Sequence, residues 1–374
     1  MGTQEYECPA CGGVMEFNAA SQKLKCIFCD TEMSVEEYKD MVAKSKAESA
    51  ANSGKAGETS TEETESVNPH KLSQEQVENA GFGKDKAVYI CQSCGGEIIA
   101  DQNQGAATCP FCGNNVTFKE VFHKGRRPDY IIPFKISKKE AKEKYKGFTK
   151  GKYLLPNSFT EENHIDEIKG VYIPYWLYAG KSHVSMDCVG TKVRTWSDSD
   201  YQYMETSYYN IARDGESSFE AVPVDGSSKM PNDLTESIEP YNIKEKVQFD
   251  DAYLAGFIAN QYDEDENVNI ERAKKRMTNT VVNEIKNTIN GYSSINTLSQ
   301  NANSTITNID YALYPVWLLS TTWNNQHFLF AINGQTGKMV GNLPVDKKKA
   351  VTYFGISSVL FSILFIILEL ILKL

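Results

Sequence analysis

Residues Tyr6–Asp30 read YECPACGGVMEFNAASQKLKCIFCD, and the chain writes a close version of this stretch twice. Cys8, Cys11, Cys26 and Cys29 follow the spacing C-x2-C-x14-C-x2-C. Cys91, Cys94, Cys109 and Cys112 repeat it 83 residues later, inside the flanks YICQSCGG and CPFCGNNV. A C-x2-C turn sets two thiolates on one side of a knuckle, and a second knuckle completes a tetrahedron around Zn²⁺ at about 2.3 Å per sulfur. Gly12, Gly13, Gly95 and Gly96 after the second cysteine of each first knuckle allow positive φ, so that backbone N–H groups can point at sulfur. So short a ribbon has little core of its own, and metal binding would supply its folding energy. Two structural Zn²⁺ ions are therefore expected, with iron in a rubredoxin-like site as the alternative. With thiolate at all four places no coordination position stays open for catalysis. A reducing compartment argues against disulfides. The ninth cysteine, Cys188, reads as a buried thiol.

At the other end stands ISSVLFSILFIILELILKL, Ile356–Leu374. No charge occurs between Ala350 and Leu368, and the apolar run continues to Leu372. As a helix it would be roughly 34 Å long, against a hydrocarbon core of about 30 Å. A single transmembrane helix is expected, with Tyr353 and Phe354 as interfacial anchors. Lys347, Lys348 and Lys349 precede it and only Lys373 follows, which places the long N-terminal part in the cytoplasm. The expectation is a tail-anchored, single-pass protein of the cell membrane, touching inner-membrane lipid.

Between these ends the chain divides by composition. Residues 1–36 form the first ribbon. A short helix opened by a Ser34–Glu37 capping box and a small, polar, flexible linker occupy 37–85, which would let the first ribbon move independently of the second. The second ribbon covers 86–122, a globular body 123–346, and the basic flank and membrane helix 347–374. Within the body, SKKEAKEKYKGF and NVNIERAKKRMTNTVVNEIKNTING read as helices. The latter sets Ile270, Ala273, Met277, Val281, Ile285 and Ile289 on one face. HFLFAINGQTGKMVGNL reads as a hairpin with Asn333-Gly334 at or near its turn. YIPYWLYAG (Tyr172–Gly180) echoes LYPVWLLST (Leu313–Thr321), each Pro-x-Trp-Leu leading into an apolar strand. The fold class expected is α+β: two small ribbons, a strand-rich body of two related halves with tryptophans in its core, and one C-terminal transmembrane helix.

A net charge of −10 speaks against bulk affinity for nucleic acid. The first ribbon carries two lysines against six acids, and the second, from Lys84 to Lys124, is balanced at four and four. The one basic cluster, KEVFHKGRRP (Lys119–Pro128), reads as a solvated linker or a contact to anionic lipid. His70, His123, His164, His183 and His327 show no metalloprotease or triad spacing. The acidic run at Asp263 lacks the glycine and the final glutamate of a calcium loop. His183 near Cys188 is the only nucleophile–base pairing to be had, so no catalytic residue and no small-molecule substrate is assigned.

The ribbons are similar to the TFIIB-type ribbons of transcription factors and to those of replication-restart helicases. Two ribbons, then YIPYW, YLAGF (Tyr253–Phe257) and LYPVW…NGQTGK, then an apolar helix, resemble a family of bacterial zinc-ribbon membrane proteins over nearly the whole chain. Members of that family are encoded alongside an SPFH-domain protein and phage-shock protein A. The resemblance implies a noncatalytic membrane adaptor whose ribbons recruit such a protein partner in an envelope-stress response. The alternative is a membrane-attached nucleic-acid binder linked to replication or transcription, on ribbon analogy alone. A ligand sensor or hydrolase would need a deep polar-lined pocket in the body.

Overall fold

The computed structural model of the chain describes residues 6–52, 86–90, 97–101, 104–108, 115–117 and 126–372. It is an α+β molecule rich in strand. The first unit is a three-stranded antiparallel sheet, β1 (Met15–Asn18), β2 (Lys23–Cys26) and β3 (Glu32–Met33). Met15 and Phe17 alternate inward on β1, as Leu24 and Cys26 do on β2, the period-two pattern of a sheet with one covered face. Helix α1 (Val35–Asn52) follows, opened by the expected capping box. The Ser34 amide donates to Glu37 Oε2 at 2.7 Å and the Glu37 amide to Ser34 Oγ at 3.1 Å.

Four strands then flank the second cysteine set: β4 (Lys86–Ile90) pairs β5 (Glu97–Asp101), and β6 (Gln104–Thr108) pairs β7 (Asn115–Thr117). Both pairs are antiparallel, and each ends where a C-x2-C begins.

The body is organised by three long strands. After β8 (Tyr130–Ile131) and helix α2 (Lys138–Thr149) comes β9 (Lys169–Ser197), 29 residues long, paired along one edge with β10 (Gln202–Asp225). Short β11 (Val247–Gln248) and β12 (Ile258–Asn260) precede α3 (Ile270–Asn287). The chain returns as β13 (Ser294–Trp323), antiparallel to β9 from Lys169↔Leu318 to Thr191↔Ser294. It then folds back as β14 (Gln326–Asn333) and β15 (Met339–Gly341). The β14–β15 connection is wider than an Asn-Gly turn, and Gly337, at φ +73°, takes the left-handed position.

The burial pattern of β9 explains its sequence. From Gly170 to Tyr178 it is buried on both faces, with Tyr172 and Trp176 in one layer and Ile173, Tyr175 and Leu177 in the other. A continuous apolar run is what two covered faces require. From Lys181 onward the pattern alternates: Ser182 is buried, and beyond it Val184, Met186 and Cys188 point inward against Val281, Val282 and Ile285 of α3. The face read from the sequence of α3 is therefore the buried one, extended by Val282, and Cys188 is a buried thiol. His183 lies on the opposite face of β9 and pairs with Asp214 at 3.0 Å, away from Cys188.

β8 runs parallel to β13, whereas β12 runs parallel to β9. β12 also pairs with β6, so the segment expected to form a second ribbon shares a strand with the body sheet. After β15 the chain enters helix α4 (Lys347–Leu372), 26 residues, long and apolar enough to cross a membrane and buried nowhere along its length.

Candidate metal centre

The first cysteine set is assembled by local hydrogen bonding around two tight turns. In the first knuckle the Cys8 amide donates to Gly13 O at 2.7 Å and the Gly12 amide to Cys8 O at 2.8 Å, with Gly12 at φ +69°. In the second the Cys26 amide donates to Thr31 O at 2.9 Å and the Asp30 amide to Cys26 O at 3.2 Å, with Asp30 at φ +58°. The residue after the second cysteine thus takes the left-handed conformation in both turns, as the sequence reading required of Gly12. Asp30 fills the equivalent place because short polar side chains tolerate that region. The Phe28 amide lies 3.5 Å from Cys26 Sγ, the kind of outer contact that stabilises a thiolate.

The four sulfurs of Cys8, Cys11, Cys26 and Cys29 all fall within 4.8 Å of one another and can hold one metal ion. Cys8 Sγ stands 3.5 Å from Cys29 Sγ, and Cys11 Sγ 3.5 Å from Cys26 Sγ. A disulfide needs about 2.05 Å. Regular tetrahedral zinc, with 2.3 Å bonds, sets sulfurs about 3.8 Å apart. The observed spacing fits the second case and not the first. Cys8 and Cys26 are buried while Cys11 and Cys29 face solvent, so the cluster sits at the surface with half its donors reachable.

Two features of this centre carry no mark in the cysteine spacing. Thr31 Oγ1 lies 3.1 Å from Cys29 Sγ, and the Thr31 hydroxyl and amide hold the Cys29 thiol down at about 6. Against the lowering effect of the Gly13 amide, the neighbouring Cys29 and Cys26 sulfurs push Cys11 up to about 12. The Thr31 contacts therefore favour the Cys29 thiolate that a metal needs, and a divalent cation would offset the crowding of sulfurs around Cys11. The second feature is Tyr38 of α1. Its hydroxyl accepts the Glu7 amide at 3.1 Å and its ring packs on Tyr6 at 5.6 Å, bracing the first knuckle from outside the ribbon.

The expectation of an independently moving first ribbon meets a docked one. The Phe17 amide donates to Ala255 O at 3.0 Å, and Phe17 packs edge-on against Tyr253 at 5.1 Å. Gln22 Nε2 donates to Phe134 O at 2.7 Å, and Lys39 pairs with Asp250. Tyr6, Met15 and Leu24 belong to the same apolar cluster as Phe134, Phe257 and Trp317 of the body. A ribbon with so small a core gains most by sharing a larger one.

The arginines of the basic cluster make contacts with the body that its reading as a free linker did not include. Arg126 pairs with Asp129 at 2.8 Å and Glu266 at 3.2 Å and donates to Ile309 O, while Arg127 lies over Phe249 and near Asp251. Arg126 thus ties the chain before β8 to the body, whereas Arg127 rests on the body surface with its side chain still half exposed. Cys91, Cys94, Cys109 and Cys112 lie outside the described residues, as do the linker and Lys119–Gly125.

Helix α4 is tied to the body at its start. The Asp346 amide donates to Leu154 O at 2.8 Å, and Lys349 Nζ reaches Leu155 O at 2.7 Å and Asn157 Oδ1 at 2.6 Å.

The chain is 30% identical, over 350 residues, to a protein of Bacillus subtilis strain 168 named uncharacterized protein YdjG. The match spans 94% of this chain and 93% of that protein. No family model matches the chain, and no solved structure does.

Proposed function

The chain belongs to the family of Bacillus subtilis YdjG, and on that footing we propose that it is a noncatalytic membrane adaptor that presents two zinc ribbons to a protein partner. The observation that carries this reading is the first ribbon's second knuckle. It projects Ile27 and Phe28, 52% and 70% exposed, beside four thiols that leave a metal no open coordination place. Exposed apolar side chains held on a rigid turn suit protein binding.

The second zinc site rests on spacing and on its strands. β4–β5 and β6–β7 open where the cysteine pairs begin, as the Glu7–Val14 bridge and the β2–β3 pair do in the first ribbon. Gly95 and Gly113 occupy the places that Gly12 and Asp30 hold at positive φ. Zinc is preferred over iron in both sites because four-thiolate tetrahedral sets favour it where no redox role is needed.

Helix α4 would cross the cell membrane once, with the ribbons and body in the cytoplasm. The lysines at its start, one of them pinned to the body, support that orientation. Tyr153 and Tyr353, ring centroids 6.4 Å apart, would lie at the lipid headgroups. Two related halves in the body are supported by order: short strand, helix, long strand, paired strand occurs as β8–α2–β9–β10 and again as β12–α3–β13–β14. Each short strand lies parallel to the long strand of the other unit. The partner we favour is of the SPFH-domain or phage-shock protein A type, and tethering raises its local concentration at the bilayer.

A crosslinked pull-down from detergent-solubilised membranes, with and without nuclease, tests the reading against a variant lacking all eight ribbon cysteines. A nuclease-resistant protein lost with the cysteines supports the adaptor. Nuclease-sensitive recovery of DNA or RNA would replace it with a nucleic-acid binder.

A further inference from the structure

Where the first ribbon docks, it does not close completely on the body. A cavity of about 780 Å³ remains between β1–β2, the strand β6, and the ends of β9 and β13. That volume lies within the range of about 300–1,000 Å³ typical of small-molecule sites, and the position between two units is a common one.

Its wall has two chemistries. Phe17 from the ribbon and Ile168, Phe257 and Trp317 from the body supply an apolar floor. The floor is built with care: Phe257 stacks on Phe134 at 4.2 Å, and the Trp317 indole donates to Ile136 O at 2.8 Å, which fixes both rings. Lys138 and Lys169 stand on the same wall, and among the described residues neither has a carboxylate within ion-pair distance. Asp166, nearby, is engaged by Lys142 at 2.6 Å. Among the described residues Glu16 is the only acid on the wall, against these two lysines and Lys25, which is itself held by Asp30. Lys138 is an exposed residue, yet withdrawal of water around its amine, with the charge of Lys142 close by, pushes its pKa below the usual lysine range.

We propose that this cavity binds an amphipathic anion, an acyl or similarly apolar body lying on Phe17, Phe257 and Trp317 with its carboxylate or phosphate at Lys138 and Lys169. Burial of the apolar part removes ring surface from water, and the anion supplies a direct ion-pair partner for two amines that have none among the described residues. Because one wall belongs to the ribbon and the other to the body, such a ligand would hold the metal-bearing ribbon in its docked position. Its binding adds directly to the docked state's stability, and any second copy of the site would have to reproduce both walls. The inference is independent of which protein the ribbons recruit.

The test is photo-crosslinking of the full chain in lipid nanodiscs, with a diazirine-bearing palmitate as probe and peptide mapping as readout. Expected are crosslinks in residues 16–27, 168–170 and 256–258. Half-saturation should be about tenfold weaker for Lys138→Gln/Lys169→Gln, with a similar penalty for the uncharged diazirine alcohol. Displacement by lysophosphatidate but not by free palmitate would assign the anion to a phospholipid source, and the reverse to a free carboxylate. Labelling confined to residues 347–372, or unchanged in the double variant, would overturn the site. Both lysines are solvent-accessible, so loss of folding is checked by thermal unfolding, and Lys169→Gln alone should already weaken labelling.

Discussion

Gly170 on β9 lies directly opposite Trp317 on β13, and a Cβ added to Gly170 would stand 2.5 Å from Phe257 Cδ1 and 3.1 Å from Trp317 Cζ3. The glycine is what lets two large rings close over the end of the sheet. Gly170→Ala should therefore destabilise the body by about 1–3 kcal/mol, the ordinary cost of overpacking a core. Chemical denaturation reads this directly, and an unchanged midpoint would mean the rings give way freely.

Removing Cys8 and Cys11 together, as serines, deprives the first site of two donors and leaves the second set intact. Metal analysis should fall from two zinc ions per chain to one, with new protease sensitivity between Tyr6 and Met33. The layer of Ile173, Tyr175 and Tyr314 has no ribbon member and should keep its unfolding transition. Loss of both ions would show that the two sites fold as one unit.

Helix α2 opens with a capping box in which the Glu140 amide donates to Ser137 Oγ at 3.3 Å and the Ser137 amide donates to Glu140 Oε2 at 2.7 Å. The Ser137 side chain, then its amide, hold the Glu140 carboxyl below its ordinary range. A depressed carboxyl contributes stability above its unfolded pKa and loses it as pH falls through the folded value. Ser137→Ala should cost about 1 kcal/mol near neutrality and flatten that part of the acid limb. A variant that loses stability equally at every pH would separate the helix cap from the titration.

Asp225, with 1% of its side chain exposed, is held by Arg272 at 2.6 Å and by the Thr235 hydroxyl at 2.8 Å. Arg272 also reaches Glu236 at 2.9 Å, so the guanidinium joins β10, the short helix Asn232–Ser237 and α3. Arg272→Met leaves a buried carboxylate without its cation and should cost about 3–5 kcal/mol. Adding Asp225→Asn should recover much of the loss. If the double variant is as unstable as the single, Arg272 matters through Glu236 instead.

The features legible in the sequence share one property: their partners are close along the chain. The knuckle pairs Cys8–Cys11 and Cys26–Cys29, the Ser34–Glu37 box and the apolar face of α3 each close within a few residues, so spacing alone reveals them. The hairpin at Asn333 was legible only in outline, because the residue needing positive φ is Gly337. Thr31 and Tyr38 were missed at the metal centre, since neither residue type marks a ligand environment by itself. Arg126 and Arg127 read as a loose basic cluster because, beyond the nearby Asp129, their partners Glu266 and Asp251 stand far away in sequence.

From the sequence alone come the four-thiol pattern, the apolar helix, the helices and strand-rich class of the body, and the recurrence of Pro-x-Trp-Leu, all fixed by covalent spacing and local periodicity. Only the tertiary structure decided that the first ribbon docks, that β8 and β12 each lie parallel to the long strand of the other unit, and that a cavity stays open above Phe257 and Trp317. Those outcomes depend on which apolar surfaces find each other across the chain. Phe17 meets Tyr253 because joining a small core to a larger one removes more surface from water than either could alone, and no local pattern records that choice.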